Sequence, residues 1–181
     1  MLPRRCKGMG KKIPEREKIG WYIAGFVDGE GSFNVSLKPH SKMKFGWVVD
    51  PVFQVYQHVK RVDILRLIKE NLRCGRIKKK TPYSGTMVYI VDNRRDLIEK
   101  VIPFFDHFKI LSSKREDYEK FKDILLRMKR KEHLTLDGLK EIVKIACSMN
   151  EMGKQRKYSA EYVLRSLEKS SETIRQALRK E

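Results

Sequence analysis

The sequence predicts an α+β fold, one antiparallel sheet covered by helices on one face, and three observations carry that expectation. Hydrophobic spacing switches along the chain between the 3.6-residue period of helices and the two-residue period of strands, in the order helix, two strands, helix, two strands, helix, with further helical segments behind. Turn residues separate the paired strand patterns. The 181 residues are 40% apolar, with eight Phe, seven Tyr and two Trp, which is material for one core rather than two. A basic N-terminal arm (residues 1–16) and a single domain over residues 17–181, including C-terminal helices from about residue 135, are therefore expected.

Residues 17–28 place Ile19, Tyr22, Ile23, Phe26 and Val27 at helical spacing, and the run GEGS ends that helix. Residues 32–38 alternate, with Phe33, Val35 and Leu37 on one face and Asn34, Ser36 and Lys38 on the other. After a loop, residues 46–59 form a second strand with Phe53 and Val55 inward and Gln54, Tyr56 and His58 outward. Pro51 confines its early half to an edge or a bulge. Helical spacing returns at residues 60–72 and stops at Cys74 and Gly75. Residues 76–80 and 86–91 flank the turn sequence TPYSG and read as a hairpin whose outward stripe is Arg76, Lys78 and Lys80. Asp92 is placed to cap a helix through Leu97, Ile98 and Val101, which Pro103 closes or kinks. Helical segments at residues 114–129, 135–150 and 159–169, and a last one from Glu172, complete the chain, with no internal repeat.

Charge narrows the partners. Forty-one Lys and Arg against 23 Asp and Glu leave +18, of which the first twenty residues carry +5, residues 154–181 carry +4 and the middle +9. A basic tail on a neutral domain is excluded, and a polyanion is the leading partner. The outward residues of the sheet (Asn34, Ser36, Lys38, Gln54, Tyr56, His58, Arg76, Lys78 and Lys80) are hydrogen-bonding or cationic, with no acid expected among them. Such a face suits phosphates and base edges. The three cysteines, Cys6, Cys74 and Cys147, are odd in number and far apart, which supports neither a disulfide framework nor a zinc site. No apolar run reaches the roughly 18 residues of a membrane span, and the start lacks a secretory signal. The protein is expected to be intracellular, not secreted and not in a membrane.

The segment Tyr22-Ile-Ala-Gly-Phe-Val-Asp-Gly-Glu-Gly-Ser32 is the most informative. Its small residues Ala24, Gly25 and Gly29 imply a close crossing with a partner helix. Glu30 is expected just past the helix C-terminus, where the dipole and unpaired carbonyls favour a cation, and a carboxylate with neighbouring carbonyls makes an oxygen-only Mg²⁺ site.

This segment resembles the signature of the LAGLIDADG homing endonucleases through its full length, and Phe53-Gln-Val-Tyr-Gln57, Ile102-Pro-Phe-Phe105 and Ser112-Ser-Lys-Arg-Glu-Asp-Tyr118 resemble family segments at compatible spacing, over roughly residues 17–126. The resemblance implies the family's αββαββα fold and, with one signature copy, a homodimer joined through Tyr22, Ala24, Gly25, Val27 and Asp28. It implies Glu30 as catalytic acid and metal ligand, with the Gly29 carbonyl as second ligand for Mg²⁺ or Mn²⁺. Most members carry Asp there; Glu is one methylene longer. Gln57 resembles the residue that orients water, and Arg61 and Lys114 the basic residues near the phosphate. Strict alternation puts Gln57 on the inward face, so it needs a strand end or bulge. Ser113, Lys114 and Arg115 are rivals for one role.

The implied activity is metal-dependent cleavage of both strands of a long, partly palindromic DNA site, leaving 3′ overhangs, in intron homing. The implied setting is a prokaryotic cytoplasm, a chloroplast or a mitochondrion. Two alternatives stand on the same scaffold: a maturase that binds intron RNA, and a DNA-binding regulator that does not cut.

Overall fold

The computed structural model describes residues 13–150 and 157–178, with backbone only over 171–178. Most of the expected basic arm, residues 1–12, lies outside the described residues. Helix α1 (Glu15–Glu30) starts directly behind Pro14, whose carbonyl accepts the Glu17 N–H at 2.9 Å, so Glu15 and Arg16 belong to the helix and not to the arm. Glu30 is its last residue rather than the one beyond. A side chain at Gly31 would start 2.6 Å from the Val27 side chain and 2.7 Å from its carbonyl oxygen. Glycine there lets α1 pass into the sheet with no loop between.

Four strands form one sheet: β1 (Gly31–Pro39), β2 (Trp47–His58), β3 (Arg76–Lys79) and β4 (Thr86–Val91). Their order is β1-β2-β4-β3 and every pair is antiparallel. The β2–β4 ladder runs only from Phe53↔Val91 to His58↔Thr86, so Pro51 lies where β2 has β1 as its one neighbouring strand. Alternation sends Phe33, Val35, Leu37, Trp47, Val49, Phe53, Val55, Tyr89 and Val91 to the buried side. Phe33 stacks on Phe53 at 5.1 Å, and the rings of Phe105 and Tyr118 meet Phe33 edge-on. Each such ring removed from water contributes about 1.5–3 kcal/mol.

After a 3-10 turn at Val59–Arg61, α2 (Asp63–Leu72) covers the sheet with Leu65 and Ile68 and ends on Arg73 in the left-handed conformation. Asp92 does not cap the next helix. Asn93 does, its side chain accepting the Asp96 N–H at 3.2 Å, because Asp92 is taken by Arg76 through two bonds of 2.7 and 2.6 Å. The short α3 (Arg94–Asp96) opens into a π-helical turn (Leu97–Val101) and α4 (Ile102–His107). Pro103 donates no N–H, and in a regular α-helix its ring would clash with the Glu99 carbonyl; the turn before it is widened, with Ile102 N–H bonded five residues back to Leu97, and the helix continues.

Helices α5 (Lys114–Lys129), α6 (Leu136–Cys147) and α7 (Ala160–Leu178) follow. The two last helical segments expected from the sequence are one continuous α7. Leu139, Ile142, Val143, Val163 and Leu167 belong to the same buried cluster as Ile23 and Phe33, and Trp47 Nε1 donates to Ser166 Oγ at 3.1 Å. The C-terminal helices thus brace the far end of β1 and β2. Among the described residues, no helix is long and apolar enough to cross a membrane.

Candidate nucleic-acid interface and metal site

Every α-helix ends with carbonyls that have no intrahelical donor. At the end of α1 a distant side chain supplies one: Lys114, at the start of α5, donates from Nζ to Val27 O at 3.0 Å and Gly29 O at 3.3 Å. Burial pushes this ammonium below its ordinary range, against the opposing attraction of Asp28, Glu30 and Asp117. Lys114 is itself anchored. Its backbone N–H donates to Ser112 Oγ at 3.1 Å, and Ser112 donates to Asp28 through its N–H at 3.2 Å and through its hydroxyl. Of the three rivals, only Lys114 meets the α1 terminus. Arg115 reaches Glu119 at 3.8 Å, and Ser113 is exposed. Ser112 was missed in the sequence, where its one signal is a hydroxyl residue two positions before a helix start.

Glu30 is exposed at this same terminus, next to the Gly29 carbonyl. The β1–β2 ladder stops at Gly31↔Val55, so β2 runs on beyond the end of α1 with Tyr56, Gln57 and His58. Gln57 keeps the inward side, near the end of the β2–β4 register and with no bulge. It is half-buried, and its Oε1 accepts the His58 N–H at 2.7 Å. Arg61 is exposed in the 3-10 turn that follows. Among the described residues neither Gln57 nor Arg61 is hydrogen-bonded to Glu30.

One carboxylate beside one carbonyl is a hard, oxygen-only donor set, which fits Mg²⁺ or Mn²⁺. It would supply two of the oxygen ligands such an ion takes. Among the described residues no group of three or more His, Cys, Asp or Glu converges.

The outer face of the sheet carries all nine residues expected there: Asn34, Ser36 and Lys38 on β1, Gln54, Tyr56 and His58 on β2, Arg76 and Lys78 on β3, and Lys80 just beyond. Cross-strand register sets Gln54, Ile90 and Arg76 in one row and Tyr56, Val88 and Lys78 in the next. Tyr56 donates to Gln54 Oε1 at 2.6 Å, Asn34 Nδ2 donates to Ser36 Oγ at 3.4 Å, and Lys80 Nζ lies 5.1 Å from the centre of the Tyr56 ring.

The expectation of a face without acids needs correction. Asp50, which alternation back from Gln54 puts on this side, binds Lys38, and Asp92 at the end of β4 holds Arg76. Hydrogen bonds from Arg76 keep the Asp92 carboxyl below the usual carboxylate range. Lys78 and Lys80 remain as exposed cations, over a buried floor of Val88 and Ile90.

The expected partner-helix edge divides in two. Ala24 and Val27 are buried in the chain's own core, so these two are not open to a partner; Asp28 is half-buried and bound to Ser112. Successive residues lie 100° apart around a helix, which turns Gly25 away from Ala24 but aligns Tyr22, Gly25 and Gly29. Among the described residues nothing covers that stripe. Tyr22 is 58% exposed, and a side chain built at Gly25 or Gly29 meets nothing within 4 Å. Trp21, not singled out in the sequence, flanks it at 45% exposure with its ring edge-on to Phe108 at 5.5 Å.

The sequence profile of the LAGLIDADG endonucleases matches residues 23–125. The DNA endonuclease I-CeuI of Chlamydomonas moewusii is 39% identical over 143 residues, covering 77% of this chain and 65% of its own. The homing endonuclease I-ApeII of Aeropyrum pernix is 30% identical over 148 residues, covering 80% of this chain and 87% of its own. The solved structure of an archaeal intron-encoded homing endonuclease complexed with DNA superposes with a TM-score of 0.79 at 36% identity, over 87% of this chain and 99% of that one. The chain thus spans slightly under two thirds of the Chlamydomonas relative and nearly the full length of the archaeal ones. With the signature helix, the sheet and a profile match over more than half its length, the chain belongs to the LAGLIDADG endonuclease family.

Proposed function

We propose that the protein is a metal-dependent, site-specific endonuclease that cuts both strands of a long, partly palindromic DNA site as a homodimer, leaving 3′ overhangs, in the service of intron homing. The observation that carries this reading is the end of α1. A half-complete oxygen site at Glu30 and Gly29 adjoins a helix stripe with room for a second backbone. Two copies crossing at Tyr22, Gly25 and Gly29, with Trp21 at the rim, bring two Glu30 carboxylates together beside the backbone of one duplex.

Glu30 and the Gly29 carbonyl would hold Mg²⁺ or Mn²⁺, which activates water and stabilises the leaving oxygen when bound. Gln57, at the strand end, orients water near the scissile phosphate. Lys114 and Arg61 supply positive charge close to it. The outer face lies along the groove, where Asn34, Ser36, Gln54, Tyr56 and His58 offer hydrogen bonds to base edges and Lys38, Arg76, Lys78 and Lys80 meet bases and phosphates. The intracellular setting, prokaryotic or organellar, follows from the same reading. The maturase and non-cleaving regulator readings draw no support from the relatives' names, and Glu30, which neither would require, is present and exposed.

Cleavage of a randomised duplex library in Mg²⁺, sequenced at the cut ends, tests the proposal. The expected result is one enriched, partly palindromic site with 3′ overhangs, and a loss of roughly 10³-fold or more in rate for Glu30→Gln. Binding without cutting in either Mg²⁺ or Mn²⁺ would refute it.

A further inference from the structure

Lys114 makes contacts that a residue serving only the phosphate would not need. Its ammonium is turned back into the protein, onto two carbonyls of the last turn of α1, one of which is the proposed metal ligand Gly29 O. Ser112 and Asp28 hold the start of α5 against α1 so that the side chain reaches there. The carboxylates of Asp28 and Glu30 stand close enough to act on it electrostatically. A cation from the chain itself therefore satisfies the negative end of α1.

We propose that Lys114 is the chain's own counter-ion at the end of α1, and that it competes with a divalent cation for the Gly29 carbonyl. A divalent ion bonded to that oxygen at about 2.1 Å would stand no more than about 5.4 Å from Nζ at its present position. Two cations on one acceptor repel, so the two occupancies are coupled with opposite sign. The arrangement gives the free protein a satisfied helix end without metal. Lys114 acts here as a positioning residue. The inference rests on the assignment of Glu30 and Gly29 as metal ligands.

Binding of Mn²⁺ to the full-length protein, read as the loss of the free-ion electron paramagnetic resonance signal, separates the two claims. Lys114→Met is expected to bind Mn²⁺ about fivefold or more tightly than the wild type, and to gain a larger Mn²⁺-dependent rise in melting temperature. Ser112→Ala, which loosens the anchor but keeps the ammonium, shifts both readouts in the same direction by less. Circular dichroism reports whether each variant folds, and Lys114→Gln replaces Lys114→Met if it does not. Loss of Mn²⁺ binding in Glu30→Gln, with Lys114→Met binding no tighter than wild type, would overturn the counter-ion role and leave the metal site standing. Unchanged binding in Glu30→Gln would overturn the metal site itself.

Discussion

The two sides of α1 are made of similar residues and do opposite things. Ile23, Ala24 and Val27 are sealed into the core, while Tyr22, Gly25 and Gly29, each a residue or two away, face open space. The buried side is closed by the chain's own groups. Val27 O takes both the Gly31 N–H and the Lys114 ammonium, and Gly20 lies so close to the Phe108 ring that a side chain there would begin 2.1 Å from it. The other side shows small residues with nothing against them among the described residues, which inside a folded chain would be an empty groove. The difference teaches that a signature rich in small residues encodes two crossings, one within the chain and one beyond it.

Substitutions on each side should separate the two. Ile23→Ala removes a fully buried side chain and is expected to cost about 2–5 kcal/mol, which at roughly 2–4 °C per kcal/mol for a chain of this size is a large drop in melting temperature by calorimetry. Equal loss for an exposed residue of α1 would erase the distinction. Gly25→Leu is expected to leave the single chain as stable or up to about 1 kcal/mol more so, from helix propensity alone, while shifting sedimentation equilibrium toward monomer and reducing cleavage. A Gly25→Leu protein that still forms dimers would move the contact elsewhere.

The smallest effect probes the other open surface. Lys78→Ala on the outer face should weaken DNA binding by a similar factor for all sequences. It should also lower the slope of log affinity against log salt by about 0.9, read by fluorescence anisotropy at several salt concentrations. Arg76→Ala should lower that slope by less, because Asp92 already holds the guanidinium through two bonds.

Much of this was legible in residue order. Periodicity located all four strands and the outward stripe, because a strand's two faces are fixed by parity once its register is anchored by Phe33 and Phe53. The acids on that face escaped for different reasons. Asp50 obeys the same parity but lies beyond the stretch where β4 pairs with β2, and Asp92 resembled a helix cap until Asn93 took that role. Ala24 and Val27 were misplaced because composition marks small and apolar residues without saying against which surface they pack. Lys114 could be singled out from its neighbours only by distance, since Ser113 and Arg115 have the same kind of polar chemistry one position away.

The sequence by itself determined the sheet's alternation, the charge excess and the carboxylate at the end of the signature helix, since these depend on residue type and local period. Only the tertiary structure decided which edge of α1 stays open, that Ser112 and Asp28 clamp α5 to its terminus, and that Lys114 rests on the carbonyls of Val27 and Gly29. Those contacts join residues more than eighty positions apart, and their geometry follows from how the helices pack on the sheet, which no local pattern encodes.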